Sequence, residues 1–106
     1  MKANNELSQE QYDSQVNHIA ELGINYVNTD HGWYDMRDSF NDLCEKSGAN
    51  KGINLEATIG RRKLLVDAIC IKTIYKLEPD AVDYLKDQLN DIAEDYTPER
   101  SRGLRR

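Results

Sequence analysis

Residues 55–96 read LEATIGRRKLLVDAICIKTIYKLEPDAVDYLKDQLNDIAEDY and predict two long helices. In the second helix, apolar residues recur in steps of three and four, which places them on one face: Val82, Leu85, Leu89, Ile92 and Tyr96. The segment 55–77 is apolar around most of its circumference, as expected for a central helix of a bundle. Glu78-Pro79 separates the two segments, since proline is tolerated at the first position of a helix. We therefore expect a C-terminal antiparallel helical hairpin.

The 55–77 helix is expected to supply most of the core, because burial of each large aliphatic side chain contributes roughly 1.5–3 kcal/mol. The core residues expected from this helix are Leu65, Val66, Ala68, Ile69, Cys70, Ile71 and Ile74. Gly60 costs about 1 kcal/mol relative to Ala inside a helix, so we expect a close crossing of another helix there. Lys63 and Asp67 are four residues apart and are expected to form an ion pair. Asn54 is a suitable N-cap for the helix.

The first half of the chain begins with a strong helix signal. Ser8 and Gln11 form a capping-box pattern, and Gly23 is placed to end the helix in a left-handed conformation. A longer helix is the alternative, because Tyr26 continues the apolar spacing. We expect helix termination at Gly23 and a loop over residues 24–32, which are rich in Asn, Asp and Gly.

A second helix is expected from Trp33 to about Ser47, with Gly48 as its stop signal. Trp33 is expected to anchor the preceding loop in the core, whereas Tyr34 falls off the apolar stripe of the helix. Together with the C-terminal hairpin, these elements predict an all-α fold that resembles a small four-helix bundle.

Length and composition predict one globular domain. The chain has 106 residues, of which 39% are hydrophobic and 31% charged, so we expect a single helical domain over residues 1–98. Residues 99–106 are expected to form a short basic tail. Cys44 and Cys70 lie in apolar helical patterns and are expected to be buried and reduced. No apolar run suits a signal peptide or a bilayer span, which predicts a cytoplasmic protein without membrane contact.

Charge alternates in blocks along the chain, although the net charge is −5 and the pI is about 5.0. Residues 1–50 and 78–99 are acidic, whereas residues 51–77 and 100–106 are basic. This alternation favours a basic central helix that lies against acidic neighbours.

The sequence contains no standard catalytic pattern. It has no Gly-rich phosphate loop, no G-x-S-x-G, no H-E-x-x-H and no paired C-x-x-C. His31 lies beside Asp30 and close to Asp35, so a small metal-dependent hydrolase is a less favoured alternative. Adjacent residues seldom face one another, however, and no third ligand follows at metal spacing. We therefore predict no enzyme activity, no catalytic residue, no metal and no cofactor.

Two surfaces are predicted to bind a protein partner. The first surrounds the predicted loop, where aromatic residues of the types enriched at binding hot spots are concentrated. The second is a line of aspartates at every fourth position of the last helix, although a solvated acidic face that keeps the protein soluble is the simpler interpretation. The predicted partner-binding residues are Tyr26, Asp30, His31, Tyr34, Asp35, Asp83, Asp87 and Asp91.

These features favour a non-catalytic protein-binding module: a small acidic adaptor, inhibitor or assembly factor. Accessory proteins of phages and mobile elements are often of this type. The expected partner is a protein, and a basic or nucleic-acid-binding protein would suit the line of aspartates. A homo-oligomer is also compatible with the sequence, because the apolar coverage of residues 64–75 can exceed what one small bundle covers.

The alternative function is nucleic-acid or nucleotide binding. On a helical wheel, four basic residues of the central helix have neighbouring directions and predict one basic stripe, and the tail adds four arginines of the same sign. The residues concerned are Arg61, Arg62, Lys72, Lys76, Arg100, Arg102, Arg105 and Arg106. The acidic pI of the chain argues against this alternative, because nucleic-acid-binding domains are normally basic overall.

Overall fold

A computed structural model of the protein describes residues 7–96, in which four helices and no strand occur. The helices are α1 (Gln9–Thr29), α2 (Trp33–Ser47), α3 (Leu55–Ile71) and α4 (Pro79–Glu94). The predicted all-α fold is therefore confirmed for this part of the chain. The predicted basic tail lies outside the described residues, and with it Arg100, Arg102, Arg105 and Arg106. Within residues 7–96, every helix is too short or too polar to cross a lipid bilayer.

Helix α1 begins as predicted but ends later. The Ser8 hydroxyl accepts a hydrogen bond from the Gln11 amide at 3.1 Å, and the Ser8 amide donates to the Gln11 side chain at 3.0 Å. The predicted termination at Gly23 is wrong, because the helix continues to Thr29 and ends at Asp30, whose φ is 63°. Most of the predicted 24–32 loop is thus helical, and Tyr26 is a buried helical residue.

Gly23 lies at a close crossing of α1 and α4 and not at the end of α1. A Cβ atom at this position would lie 2.8 Å from Cδ2 of Leu85, which is fully buried in α4. The missing side chain therefore lets α4 approach the middle of α1. At Gly60, by contrast, a Cβ atom would meet nothing within 4 Å, so the crossing predicted there is wrong.

Helix α2 has the predicted bounds. It begins at Trp33 and ends at Gly48, where a φ of 84° favours glycine. Trp33 is half-buried and packs against the core, as expected, whereas Tyr34 is 66% exposed.

Helix α3 is shorter than predicted. The Asn54 side chain caps it by accepting from the Ala57 amide at 2.8 Å, and the last helical residue is Ile71. Residues 72–76 form turns, and the Thr73 hydroxyl donates to the Cys70 carbonyl at 2.7 Å. Such a local side-chain bond competes with continuation of the helix.

The core forms between all four helices and includes the predicted seam of α4. Leu85, Leu89 and Ile92 are buried there, together with Leu65, Val66, Ile69 and Cys70 of α3. The prediction that Ile71 and Ile74 belong to the core is wrong, because they are 59% and 55% exposed. One side of α3 therefore remains uncovered.

Ion pairs link α3 to α4 across their contact. Lys63 contacts Glu94, and Asp67 lies 3.5 Å from Lys86, so the middle of α3 lies beside the end of α4. The predicted pair between Lys63 and Asp67 does not form, because both side chains bind α4 instead.

Candidate functional site

The exposed side of α4 carries a concentrated negative charge. Asp80, Asp83, Asp87 and Asp91 are all exposed, and none makes an ion pair with a basic residue of the range 7–96. Lys86, the only basic residue of α4, forms its ion pair with Asp67 of α3 and not with these carboxylates. The predicted line of aspartates is thus present at the surface, and we call these four residues the acidic face.

A tyrosine pair connects the acidic face to the end of α1. The rings of Tyr26 and Tyr84 stack with centroids 6.1 Å apart, and their hydroxyl oxygens are 3.1 Å apart. The hydrogen bond with Tyr84, followed by burial, raises the pKa of Tyr26 to about 12. Tyr26 therefore positions Tyr84 and is itself inaccessible, while Tyr84 is exposed at the edge of the acidic face.

The remaining predicted residues of the first surface lie where α1 meets α2. Asp30 is the left-handed cap of α1, and the His31 amide donates to the Thr29 hydroxyl at 3.2 Å. Asp30, His31 and Asp35 are exposed. Within residues 7–96, no group of three or more His, Cys, Asp or Glu side chains is arranged to hold a metal ion.

Tyr34 belongs to an aromatic cluster on the first turn of α2. Its ring meets Trp33 edge to face at a centroid distance of 5.2 Å. The Arg37 guanidinium lies 4.9 Å from the Tyr34 ring and also binds Asp38 at 2.8 Å. These contacts hold the Tyr34 ring in place while leaving much of its surface open to solvent.

Arg62 is the buried charged residue of the part of the chain that the structure describes. Arg62 was predicted on an exposed basic stripe, but it is only 2% exposed, so this prediction is wrong. Its guanidinium donates to the carbonyls of Ile92 and Ala93 at 3.0 Å each, and to the Oδ1 atoms of Asn41 and Asn50 at 2.7 and 2.9 Å. Burial lowers the pKa of Arg62.

Arg62 of α3 binds three other parts of the fold: α2 through Asn41, the segment after α2 through Asn50, and the end of α4. Its carbonyl partners are at the C-terminal end of α4, where the helix dipole favours a positive charge. Its guanidinium also lies 5.5 Å from the Phe40 ring and 4.8 Å from the Tyr96 ring. A sequence signal for this burial exists, because Arg62 is spaced three, four and seven residues before Leu65, Val66 and Ile69.

The other basic residues of the predicted stripe remain on the surface. Arg61, Lys72 and Lys76 are exposed, and Lys76 lies 3.8 Å from Glu21 of α1. Within the described residues, neither Arg61 nor Lys72 contacts a carboxylate. The predicted stripe is thus reduced to three positions on this part of the chain.

A shallow groove of about 290 Å³ lies between α1 and α2. Its lining residues are Gln15, His18, Ile19, Asp38, Ser39 and Asp42. Both of its carboxylates already bind basic neighbours, Asp38 with Arg37 and Asp42 with Lys46. The surface inside the groove is mostly apolar, and each of its carboxylates already has a basic neighbour.

Cys44 and Cys70 are buried and unpaired, as predicted. Burial raises the pKa of the Cys44 thiol to about 12 and that of Cys70 to about 11. Because the thiolate is the nucleophile, thiols that stay protonated near neutral pH are poor nucleophiles.

Comparison of the chain with protein-family models, curated proteins and solved structures gave no match. Its function must therefore be argued from its own residues.

Proposed function

We propose that this protein is a non-catalytic protein-binding module, an acidic adaptor, inhibitor or assembly factor whose acidic face binds a basic protein. The observation that carries the proposal is the line of exposed carboxylates on α4, which lack basic partners within the described residues. A partner that supplies lysines or arginines would neutralise a charge concentration that repels itself in the free protein.

The acidic face is suited to recognition because it is held in a fixed shape. Asp83 and Asp91 are eight residues apart, which corresponds to about 12 Å along a helix. The opposite side of α4 is anchored by fully buried Leu85 and Leu89, so these carboxylates keep their spacing when a partner binds. A preorganised surface of this kind loses little conformational entropy on association.

The exposed Tyr84 and the Tyr34 cluster extend the proposed surface. Tyrosine supplies a large contact area with few rotatable bonds, which explains its enrichment at binding hot spots. Asp30, His31 and Asp35 add exposed polar groups where α1 meets α2. A cytoplasmic location and a role as an accessory protein of phages or mobile elements remain parts of the proposal.

A charge-reversal pair tests the proposed function. Affinity capture from native lysate should retain a basic protein on the wild-type chain. The double variant Asp83→Lys, Asp87→Lys should bind that protein at least about tenfold more weakly, because two favourable charge contacts become repulsive. The double variant Glu10→Lys, Asp13→Lys makes the same change in net charge on the exposed surface of α1 and should bind normally. Equal losses in both variants would contradict the proposal.

Nucleic-acid binding is the second candidate, favoured by the exposure of Arg61 and Lys72 without a carboxylate partner in the described range. This alternative predicts an oligonucleotide affinity that falls steeply with salt, because phosphate contacts release counterions. Fluorescence anisotropy with a labelled oligonucleotide at several salt concentrations tests it, with Arg61→Glu, Lys72→Glu as the variant. Absence of binding, or binding that is insensitive to salt, would contradict this alternative.

A further inference from the structure

Large apolar side chains at the surface are concentrated around α3. Within residues 7–96, six of the eight exposed large hydrophobic residues lie between positions 53 and 75. Four of them follow one another along the second half of α3 and the turn after it: Leu64, Ile71, Ile74 and Tyr75. We call these four residues the open face of α3. Leu64 is 67% exposed and Tyr75 is 84% exposed, so none of the described elements covers them.

Gly60 extends the open face toward the beginning of α3. On a helix of 3.6 residues per turn, Gly60, Leu64 and Ile71 point within about 40° of one another. A Cβ atom at Gly60 would meet nothing within 4 Å, so no packing inside this part of the chain requires glycine there. A glycine that costs about 1 kcal/mol without an internal reason would, however, allow the backbone of another helix to approach closely.

One edge of the open face carries positive charge, whereas the other edge holds Asp67, whose carboxylate binds Lys86 of α4. Arg61 and Lys72 point within about 20° of each other on a regular helix, to one side of Leu64 and Ile71. Both side chains are exposed, and neither contacts a carboxylate within the described residues. An occupant of the open face would therefore gain from acidic side chains at its border.

The side of α3 that is covered in the structure shows which kind of element can pack against such a surface. There, the amphipathic and acidic α4 packs against α3, its Glu94 binds Lys63, and its Lys86 binds Asp67 at the border of the contact. The open face likewise has apolar side chains in the middle, with the basic residues Arg61 and Lys72 along one edge. Among the described residues, however, no acidic helix covers the open face.

We propose that the open face of α3 docks one acidic amphipathic helix of a partner protein. Four partly exposed side chains amount to roughly a few hundred Å² of apolar surface. Stable interfaces between folded proteins bury about 800 Å² on each partner, so the open face is too small for a dimer of this chain and suits a single helix. This inference goes beyond the proposed function, because the two surfaces differ in location and in charge. With both surfaces occupied, the protein would bridge a basic partner and an acidic helix.

A designed peptide tests the proposal directly. The probe is a fluorescent helical peptide of about 18 residues, with leucine at positions i, i+3 and i+7 of each repeat and glutamate on its flanks. Anisotropy titration with the full chain should give saturable binding that weakens with salt. A peptide with lysine in place of glutamate should bind at least about tenfold more weakly, because its charges would meet Arg61 and Lys72.

Variants of the chain locate the binding site. Leu64→Glu and Ile71→Glu should each weaken binding of the acidic peptide by about tenfold, since an apolar contact is replaced by a charge. Gly60→Leu should weaken it similarly without lowering the melting temperature, because the new side chain faces solvent in the free protein. Ile53→Glu is the matched control: it makes the same kind of change at an 86% exposed residue outside the open face and should leave the affinity unchanged.

Four outcomes would overturn the proposal. The first is absence of saturable binding, and the second is equal binding of the lysine peptide. The third is dimerisation of the free chain in analytical ultracentrifugation that Ile71→Glu abolishes, which would assign the open face to a second copy. The fourth is displacement of the peptide by an oligonucleotide that binds the same face. The variant Asp83→Lys, Asp87→Lys should bind the acidic peptide at least as well as wild type, so failure of this inference and failure of the proposed function can be distinguished.

Discussion

Helices α3 and α4 pack against each other but differ in how they bury their apolar side chains. Helix α4 has one apolar stripe, and the large aliphatic members Leu85, Leu89 and Ile92 are all buried. Helix α3 is apolar on two sides, and only the side with Leu65, Val66 and Ile69 is buried, while Leu64 and Ile71 remain exposed. An amphipathic pattern thus identifies its own buried side, whereas a helix that is apolar all round leaves that choice to its neighbours.

The sharpest test of this difference compares two leucines. Leu89→Ala should lower the free energy of unfolding by about 2–5 kcal/mol, because it leaves a cavity at a fully buried site. Leu64→Ala should change it by less than about 0.5 kcal/mol, because the side chain is mostly solvated. Urea denaturation followed by circular dichroism measures both values. Similar losses for the two variants would mean that α3 has no open face.

Two consecutive arginines provide the next comparison. Arg62→Lys should lower the free energy of unfolding by about 1–3 kcal/mol, because an ammonium group cannot reach all four acceptors and leaves buried oxygens unpaired. Arg61→Lys should have an effect within about 0.5 kcal/mol, since Arg61 is exposed. Chemical denaturation of both variants gives the difference. A neutral Arg62→Lys change would show that the buried hydrogen bonds contribute little.

A third comparison concerns two helical glycines and predicts effects of opposite sign. Gly23→Ala should destabilise the protein by about 1 kcal/mol, because overpacking against Leu85 outweighs the better helix propensity of alanine. Gly60→Ala should stabilise it by about 0.5–1 kcal/mol, because its Cβ atom meets no neighbour. Thermal melts of both variants measure these changes in stability. A destabilising effect of Gly60→Ala would contradict the absence of a neighbour beside Gly60.

The last comparison concerns the pH dependence of the buried thiol in α2. The folded-state pKa of Cys44 is raised from 9.0 to about 12, so the folded state favours the protonated thiol. Its contribution to stability is fully present below pH 9 and is lost as the pH rises from 9 toward 12, at up to about 1.4 kcal/mol per pH unit. Denaturation between pH 8 and pH 10.5 should therefore show a falling free energy of unfolding, with a smaller slope in Cys44→Ala. An unchanged slope in that variant would assign the pH dependence to other groups, such as Tyr26.

Local sequence signals located most helix boundaries correctly. The Ser8 capping box, the Asn54 cap, the first-turn proline of α4 and the left-handed Gly48 all lie where the pattern predicts. Each of these depends on residues within one turn of the boundary, so tertiary contacts have little influence on it. The acidic face could be identified in the same way, because regular helical spacing alone aligns its aspartates.

Two of the errors concern residue types that serve two purposes. Gly23 could end a helix or permit a crossing, and only the position of Leu85 decides between these roles. Arg62 has the composition of a surface residue, but the carbonyls at the end of α4 and two asparagines make its burial favourable. Neither Leu85 as the neighbour of Gly23 nor the acceptors of Arg62 can be identified from residue spacing along one helix.

Sequence alone therefore determined the helical class, the caps at Ser8, Gly48 and Asn54, the apolar stripe of α4 and its acidic opposite side. These follow from interactions between residues at most a few positions apart, which are the same in any arrangement of the helices. Tertiary structure alone decided which side of α3 is covered, which glycine lies at a crossing and which arginine is buried. Those outcomes depend on contacts between residues far apart in the chain, because burial is a property of the assembled neighbours and not of the residue itself.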